Sequence, residues 1–140
     1  MAIDRIMNIA GSAMNAQLVR LNTTASNLAN ASVLATTPDE AFRARKPVFA
    51  TILADSLQNQ VETAGGVRVE GIMQDGKVVK QIYDPGNPLA DEGGYVWGSN
   101  VNTVEEMIEM LDASRSYQNN VEVISTVKNL MLRTLDITKV

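Results

Sequence analysis

Four carboxylates crowd the start of the last third of the chain: Glu105, Glu106, Glu109 and Asp112. On a helix, spacings of three and four bring Glu105, Glu109 and Asp112 to one side, the geometry of a carboxylate metal site. Such a site needs ligands from a second element. The only acid on the other long helical stretch is Asp4, and the 140 residues include neither histidine nor cysteine. Disulfides, thiol nucleophiles, imidazole bases and Cys/His metal centres are thereby excluded together. Ser114 and Ser116, beside Arg115 and Tyr117, have no candidate general base, so nucleophilic catalysis lacks its second member. Gly65-Gly66 and Gly93-Gly94 match no phosphate-loop spacing. The methionines read as adaptable packing rather than a cofactor box. No catalytic, metal or cofactor-binding residue is assigned, and an enzyme is not expected.

Composition narrows the class further. A net charge of −4 without a long basic run argues against nucleic acid as the partner. Phe42-Arg-Ala-Arg-Lys46 is a short basic cluster of the kind that solvated loops carry. The apolar fraction of 45% excludes global disorder, and with aromatics at only 4% it consists of Ala, Val, Leu, Ile and Met, which suit helix seams. No run of 18 apolar residues offers a membrane span. Asp4, Asn8, Ser12 and Asn15 interrupt any apolar signal-peptide core at the N-terminus.

The elements that must position these residues are two long helices. From Val104 to Leu135, Met107, Met110, Ala113, Tyr117, Val121, Ile124, Met131 and Leu135 fall on one face, and Met110, Tyr117, Ile124 and Met131 recur at sevens. Glu105, Asp112, Arg115, Asn119, Glu122 and Arg133 lie opposite, and no Gly or Pro interrupts. The stretch predicts a helix about 48 Å long, which needs a partner along its length. Thr103 is the expected N-cap, with Glu106 completing a capping box. Ile108 and Leu111 lie on the otherwise polar side, and Val123, Leu130 and Ile137 flank the main stripe, so several neighbours, or a folded-back middle segment, must cover them.

Residues 3 to 31 predict the second helix, with Met7, Met14, Leu21 and Leu28 at sevens and Ile3, Ala10, Leu18 and Ala25 on the same face. Gly11 weakens it by roughly 1 kcal/mol relative to Ala. Its other side is uncharged: Asn8, Ser12, Asn15, Asn22, Thr23, Ser26, Asn27 and Asn30. Short amides and hydroxyls suit close approach to another backbone, where a buried charge would be costly.

Between the helices, Thr36-Thr37-Pro38-Asp39 signals a turn and Val48 to Val61 is ambiguous. Val67, Val69 and, after a slip, Ile72 alternate with Arg68 and Glu70. Gln74-Asp75-Gly76 then turns, and Val78, Val79 and Ile82 follow, which predicts a β-hairpin. Tyr83-Asp-Pro-Gly-Asn-Pro88 and Asp91-Glu-Gly-Gly94 end it. The expected architecture is mainly α: an N-terminal helix over 1–31, an extended loop and hairpin segment over 32–99 and a C-terminal helix over 100–140, the two helices paired as an antiparallel coiled coil.

The residues also carry a resemblance. Leu21-Asn-Thr-Thr-Ala-Ser-Asn-Leu-Ala-Asn-Ala31 resembles the N-terminal signature of bacterial flagellar axial proteins. Gly94-Tyr-Val, Asn100-Val-Asn, Glu106-Met and Ala113-Ser-Arg-Ser-Tyr-Gln-Asn-Asn-Val-Glu-Val-Ile124 resemble their C-terminal signature. Tyr83-Asp-Pro-Gly-Asn-Pro-Leu-Ala-Asp91 and the short length are similar to the proximal rod proteins of the basal body. Trp97-Gly98-Ser99 departs from the family pattern, where a charged residue and a Pro are more usual, and Ser32 to Glu40 lacks a common Gly-Tyr ending.

The resemblance implies a structural subunit of the rod, the axial drive shaft needed for motility, in the periplasmic space. It implies partners among copies of itself and other rod proteins, and the flagellar type III export apparatus without a cleaved signal. Phe49-Ala-Thr-Ile-Leu53 fits the family's short export-gate element, with Phe49 and Leu53 as its ends. Assembly contacts fall to Met7, Met14, Leu21, Asn27, Leu28 and Asn30 on the first helix. On the last they fall to Met110, Tyr117, Val121, Ile124, Met131 and Leu135. The alternatives are a soluble helical-hairpin module with a single partner and a carboxylate metal-binding enzyme.

Overall fold

The computed structural model describes residues 2–52 and 65–137. Helix α1 spans Ala2–Ala29. Strands β1 (Leu34–Ala35), β2 (Arg45–Thr51), β3 (Val67–Gln74), β4 (Lys80–Tyr83) and β5 (Tyr95–Gly98) follow, and helix α2 (Thr103–Ile137) closes the order. With 28 and 35 residues, the helices are about 42 and about 52 Å long.

The ends of the helices are fixed by asparagines. At the end of α1 the Asn30 side chain donates to the Ser26 carbonyl at 2.8 Å, and its backbone N–H reaches the Ser26 and Asn27 carbonyls, each at 3.2 Å. These bonds satisfy acceptors that the last turn would leave open. α2 begins from Asn102, whose side-chain oxygen accepts the Val104 N–H at 3.1 Å and whose carbonyl accepts the Glu106 N–H at 3.0 Å. Asn102 is therefore the N-cap in place of the expected Thr103. Glu106 does not close a capping box; it turns inward and is only 4% exposed.

α1 and α2 make the most extensive contact between elements in the fold. The C-terminal turn of α1 lies beside the first turn of α2, where the Asn27 amide meets the Glu106 carboxyl. From there burial continues back along α1 to Ala10 and forward along α2 to Val127. The two helices thus run antiparallel.

The predicted hairpin does not form. β3 pairs antiparallel with β2, not with β4, and β4 pairs with β5, which also holds β1 in a sheet ordered β1-β5-β4. The chain does not turn back at Gln74-Asp75-Gly76. Instead the Asp75 N–H prolongs the β2 contact by donating to the Ala44 carbonyl at 2.7 Å, and Asn100 takes up the carbonyls of Asp75 and Lys77. The slip between Val69 and Ile72 is a bulge: Val48 faces Gly71 and Phe49 faces Val69, leaving Glu70 unpaired.

The start of β3 docks on α1 through a close approach at Ser12. Ser12 Oγ accepts the Val67 N–H at 3.1 Å and donates to the Ile9 carbonyl at 2.8 Å. A Cβ on Gly66 would stand 3.0 Å from that oxygen, so any larger residue there would push the Ser12 side chain aside by a few tenths of an ångström.

The core is built from small side chains. Its fully sequestered apolar residues are Ala10, Ala16, Ala41, Ala44, Val79, Val96, Val101, Ala113 and Val127. Large apolar residues such as Leu18, Leu111, Leu130 and Leu132 stay more than 40% exposed. This inverts the usual partition, in which Leu, Ile and Met fill the interior.

Candidate functional site

On α2, Glu106, Met110, Ala113, Tyr117, Asn120, Ile124 and Val127 alternate steps of four and three, and each is buried or half-buried. Met110, Tyr117 and Ile124, three of the expected seam residues, lie on this face. Val121 and Leu135 do not: they are 45% and 55% exposed, and Met131 lies at the margin. On α1, Ala10, Ala13, Gln17, Arg20, Thr24 and Asn27 form a second such row, again in steps of three and four and all buried or half-buried.

The expected α1 seam is displaced from this row. Met14, Leu21 and Leu28, each four residues beyond Ala10, Gln17 and Thr24, are only half-buried, and Met7 is exposed. Small and polar side chains occupy the contact because α1 is covered on two sides, by α2 and by the β2–β3 pair. A search for large apolar residues misses that row. The uncharged Asn/Ser/Thr side marks instead the flank of α1 that meets the β2–β3 pair, where Ser12 accepts the Val67 N–H.

Where the two signatures meet, they hold a strand between them. The Asn27 side chain donates to the Arg45 carbonyl at 2.8 Å and accepts the Arg45 N–H at 2.9 Å, so the amide imitates a neighbouring strand. One residue earlier, the Ala44 N–H donates to Asn100 Oδ1 at 2.7 Å. The amide of Asn100 also donates to the Lys77 carbonyl at 3.0 Å. Asn27, expected among the assembly contacts, is therefore engaged inside the subunit and 1% exposed. Asn30 is engaged at the end of α1. Asn100 and Arg45 were not anticipated, although Asn100 stands within the C-terminal signature.

The acidic cluster does not converge. Glu109 accepts from Lys46 Nζ at 3.4 Å and Glu105 lies 3.9 Å from Lys77 Nζ, while Glu106 points into the helix junction. Among the described residues no group of three His, Cys, Asp or Glu could hold a metal ion. Burial strips water from the Glu106 carboxyl and raises its pKa; the nearby Glu109 and Glu105 charges add to the rise, while the Asn27 amide and Lys46 oppose it. Partial burial works against the charge on Lys46, yet the Glu109 carboxylate, with Asp75 and Glu106 behind it, holds its pKa above the ordinary value.

Phe49 sits in β2 opposite Val69, its ring 5.0 Å beneath the Arg20 guanidinium of α1. Leu53, the other end of the expected export element, lies outside the described residues. No helix among the described residues is long and apolar enough to cross a membrane.

Both ends of this site match known proteins. Residues 7–33 match the family of flagella basal body rod proteins, and residues 92–137 match the C-terminal family of the flagellar basal body rod FlgEFG proteins. The flagellar basal-body rod protein FlgC of Salmonella typhimurium is 46% identical over 135 residues, covering 96% of this chain and 97% of that protein. FlgC of Escherichia coli O157:H7 is 47% identical over the same shares. FlgC of Buchnera aphidicola subsp. Schizaphis graminum is 45% identical over 98% of each chain. The chain belongs to the FlgC family of flagellar basal-body rod proteins. The FlgC family is structural rather than enzymatic, and the chain is a structural rod subunit of the flagellum. The matched segments are the two sides of one junction: the first lies on α1 and its exit, the second on β5 and α2. Asn27 and Asn100, one from each signature, are thus the residues that clamp residues 44–45 between them.

Proposed function

We propose that this chain forms part of the proximal rod, assembling helically with copies of itself and other rod proteins through α1 and α2. The two helices act as an antiparallel coiled coil toward the inside of the rod, and residues 32–99 supply outer contacts. The chain reaches the periplasmic space through the flagellar type III apparatus without a cleaved signal, Phe49 and Leu53 marking the export element.

The observation that carries this reading is the inverted partition of side chains. An isolated subunit closes its core with Ala and Val while Val104, Ile108, Leu111, Leu130, Leu132 and Leu135 remain exposed along α2. Exposed apolar surface on several faces of one rod fits a subunit with neighbours on several sides. Folding of the helix ends is completed by assembly, so their stability depends on subunit concentration.

Ile124→Asp tests the reading by placing a charge in the seam, and Leu28→Asp does so at its border. Each is expected to abolish rod assembly and swimming while the chain is still made and exported. Normal swimming with either variant incorporated in basal bodies overturns the seam assignment.

A further inference from the structure

Two surfaces of the subunit, on opposite sides of the helix pair, complement each other. The first is the outward face of the first turns of α2, turned away from the seam. Val104, Met107, Ile108 and Leu111 are 63%, 51%, 54% and 59% exposed there, and their spacing makes one continuous apolar patch. Glu105 and Asp112, one heptad apart, run along one edge of it.

The second surface is a groove between α1 and β3. It consists of two hollows of about 330 and 320 Å³ that share Val19, one reaching Asn22, Ser26 and Ile72, the other Asn15 and Val69. On α1 it extends from Ser12 to Ser26, about 21 Å of helix. Each hollow is lined by one arginine, Arg45 in the first and Arg68 in the second, and neither has an acidic residue in its lining. The uncharged Asn and Ser side chains of α1 allow a helix to approach closely without stranding a charge.

We propose that the α2 patch of a second copy seats in this groove, its apolar residues over Val19 and Ile72 and its acidic edge toward Arg45 and Arg68. The proposal rests on the rod reading and deepens it by naming the partner face. Three features select a second copy as the occupant. The groove offers cations where the patch offers carboxylates. The groove is longer than the roughly 10 Å that the four patch residues span. Finally, groove and patch lie on different faces of one molecule, so the contact is head-to-tail, the kind of interface from which open helical arrays are built. Lys77 lies 3.9 Å from Glu105 within the subunit, a loose exposed pair that leaves Asp112 as the principal acid for the groove.

The absence of cysteine from the sequence gives a direct test. Full-length Asn22→Cys and Ile108→Cys variants are co-expressed in motile cells, with the exposed-loop variant Glu92→Cys as the control partner for Ile108→Cys, and basal bodies are oxidised and isolated. A disulfide-linked dimer of this chain is expected for the first combination and not for the control. In parallel, Arg68→Glu and Asp112→Arg should each weaken association about tenfold, and the two reversals in one chain should restore it. Basal bodies that hold both cysteine variants without cross-linking overturn the proposal and leave the rod reading standing. A cross-link from Ile108→Cys to a different basal-body protein overturns the second copy as occupant. Absence of the chain from basal bodies overturns both readings.

Discussion

The two ends of the helix pair are built on opposite principles. At the junction end, side-chain amides and backbone satisfy each other: Asn27 on Arg45, Asn100 on Ala44 and Lys77, Asn102 on the first turn of α2. Little backbone hydrogen bonding there is left for a neighbour to supply, although the outward face of the same turns of α2 keeps Val104, Met107, Ile108 and Leu111 exposed. At the far end, the first turns of α1 and the last turns of α2 have Ile6, Met7, Leu130, Leu132 and Leu135 in the open, with none of the described strands against them. The contrast teaches that one chain can specify its own shape at one end and leave the other end to its neighbours. Specific hydrogen bonds set a unique geometry, whereas exposed apolar surface is non-directional and gains stability only when another surface covers it.

That contrast can be broken by substitution. The largest effect is expected for Asn27→Leu, which removes the partner of both the Arg45 N–H and the Arg45 carbonyl and places an apolar side chain beside them. Unfolding by urea should show a loss of roughly 2–4 kcal/mol, and the junction end should lose amide-exchange protection first. Leu130→Ser at the far end should change the stability of the dilute monomer by no more than about 0.5 kcal/mol while reducing incorporation into rods. Equal destabilisation by the two would erase the distinction between the ends.

Two smaller changes sharpen it. The Glu106 carboxyl has its pKa raised in the folded chain, so its ionised form opposes folding. That opposition is complete above the raised pKa and disappears below the ordinary value of 4.5. Glu106→Gln should therefore raise the melting temperature at pH 7, with a gain that fades as the pH falls toward 4.5. A pH-independent gain would show that packing, not charge, is what the substitution relieves. The smallest effect is expected for Gly11→Ala. A Cβ there meets nothing within 4 Å, so the substitution should stabilise α1 by up to about 1 kcal/mol, seen as increased helicity by circular dichroism.

The helices were legible in the sequence because their signal is local. Thirty or so residues of unbroken periodicity outweigh any tertiary preference: α1 ends at Ala29 and α2 starts at Thr103, within three residues of the expected bounds. The heptad Met110, Tyr117, Ile124 was readable for the same reason. The corresponding face of α1 was not, because the contact uses Ala10, Gln17 and Thr24, which no scan for large apolar side chains selects. Strand pairing was misread where the choice was non-local: β3 prefers β2, far back in sequence, to the adjacent β4. The asparagine signatures were visible as a pattern, but not as a clamp on residues 44–45.

By itself the sequence determined the two long helices, the absence of cysteine and histidine chemistry, and the family, since each depends on residue identity and near-neighbour spacing. Only the tertiary structure decided which face of α1 meets α2, which strands pair, and that Asn27 and Asn100 close on the same stretch of backbone. Those outcomes depend on distances between residues far apart along the chain, set by how closely small side chains let the elements approach.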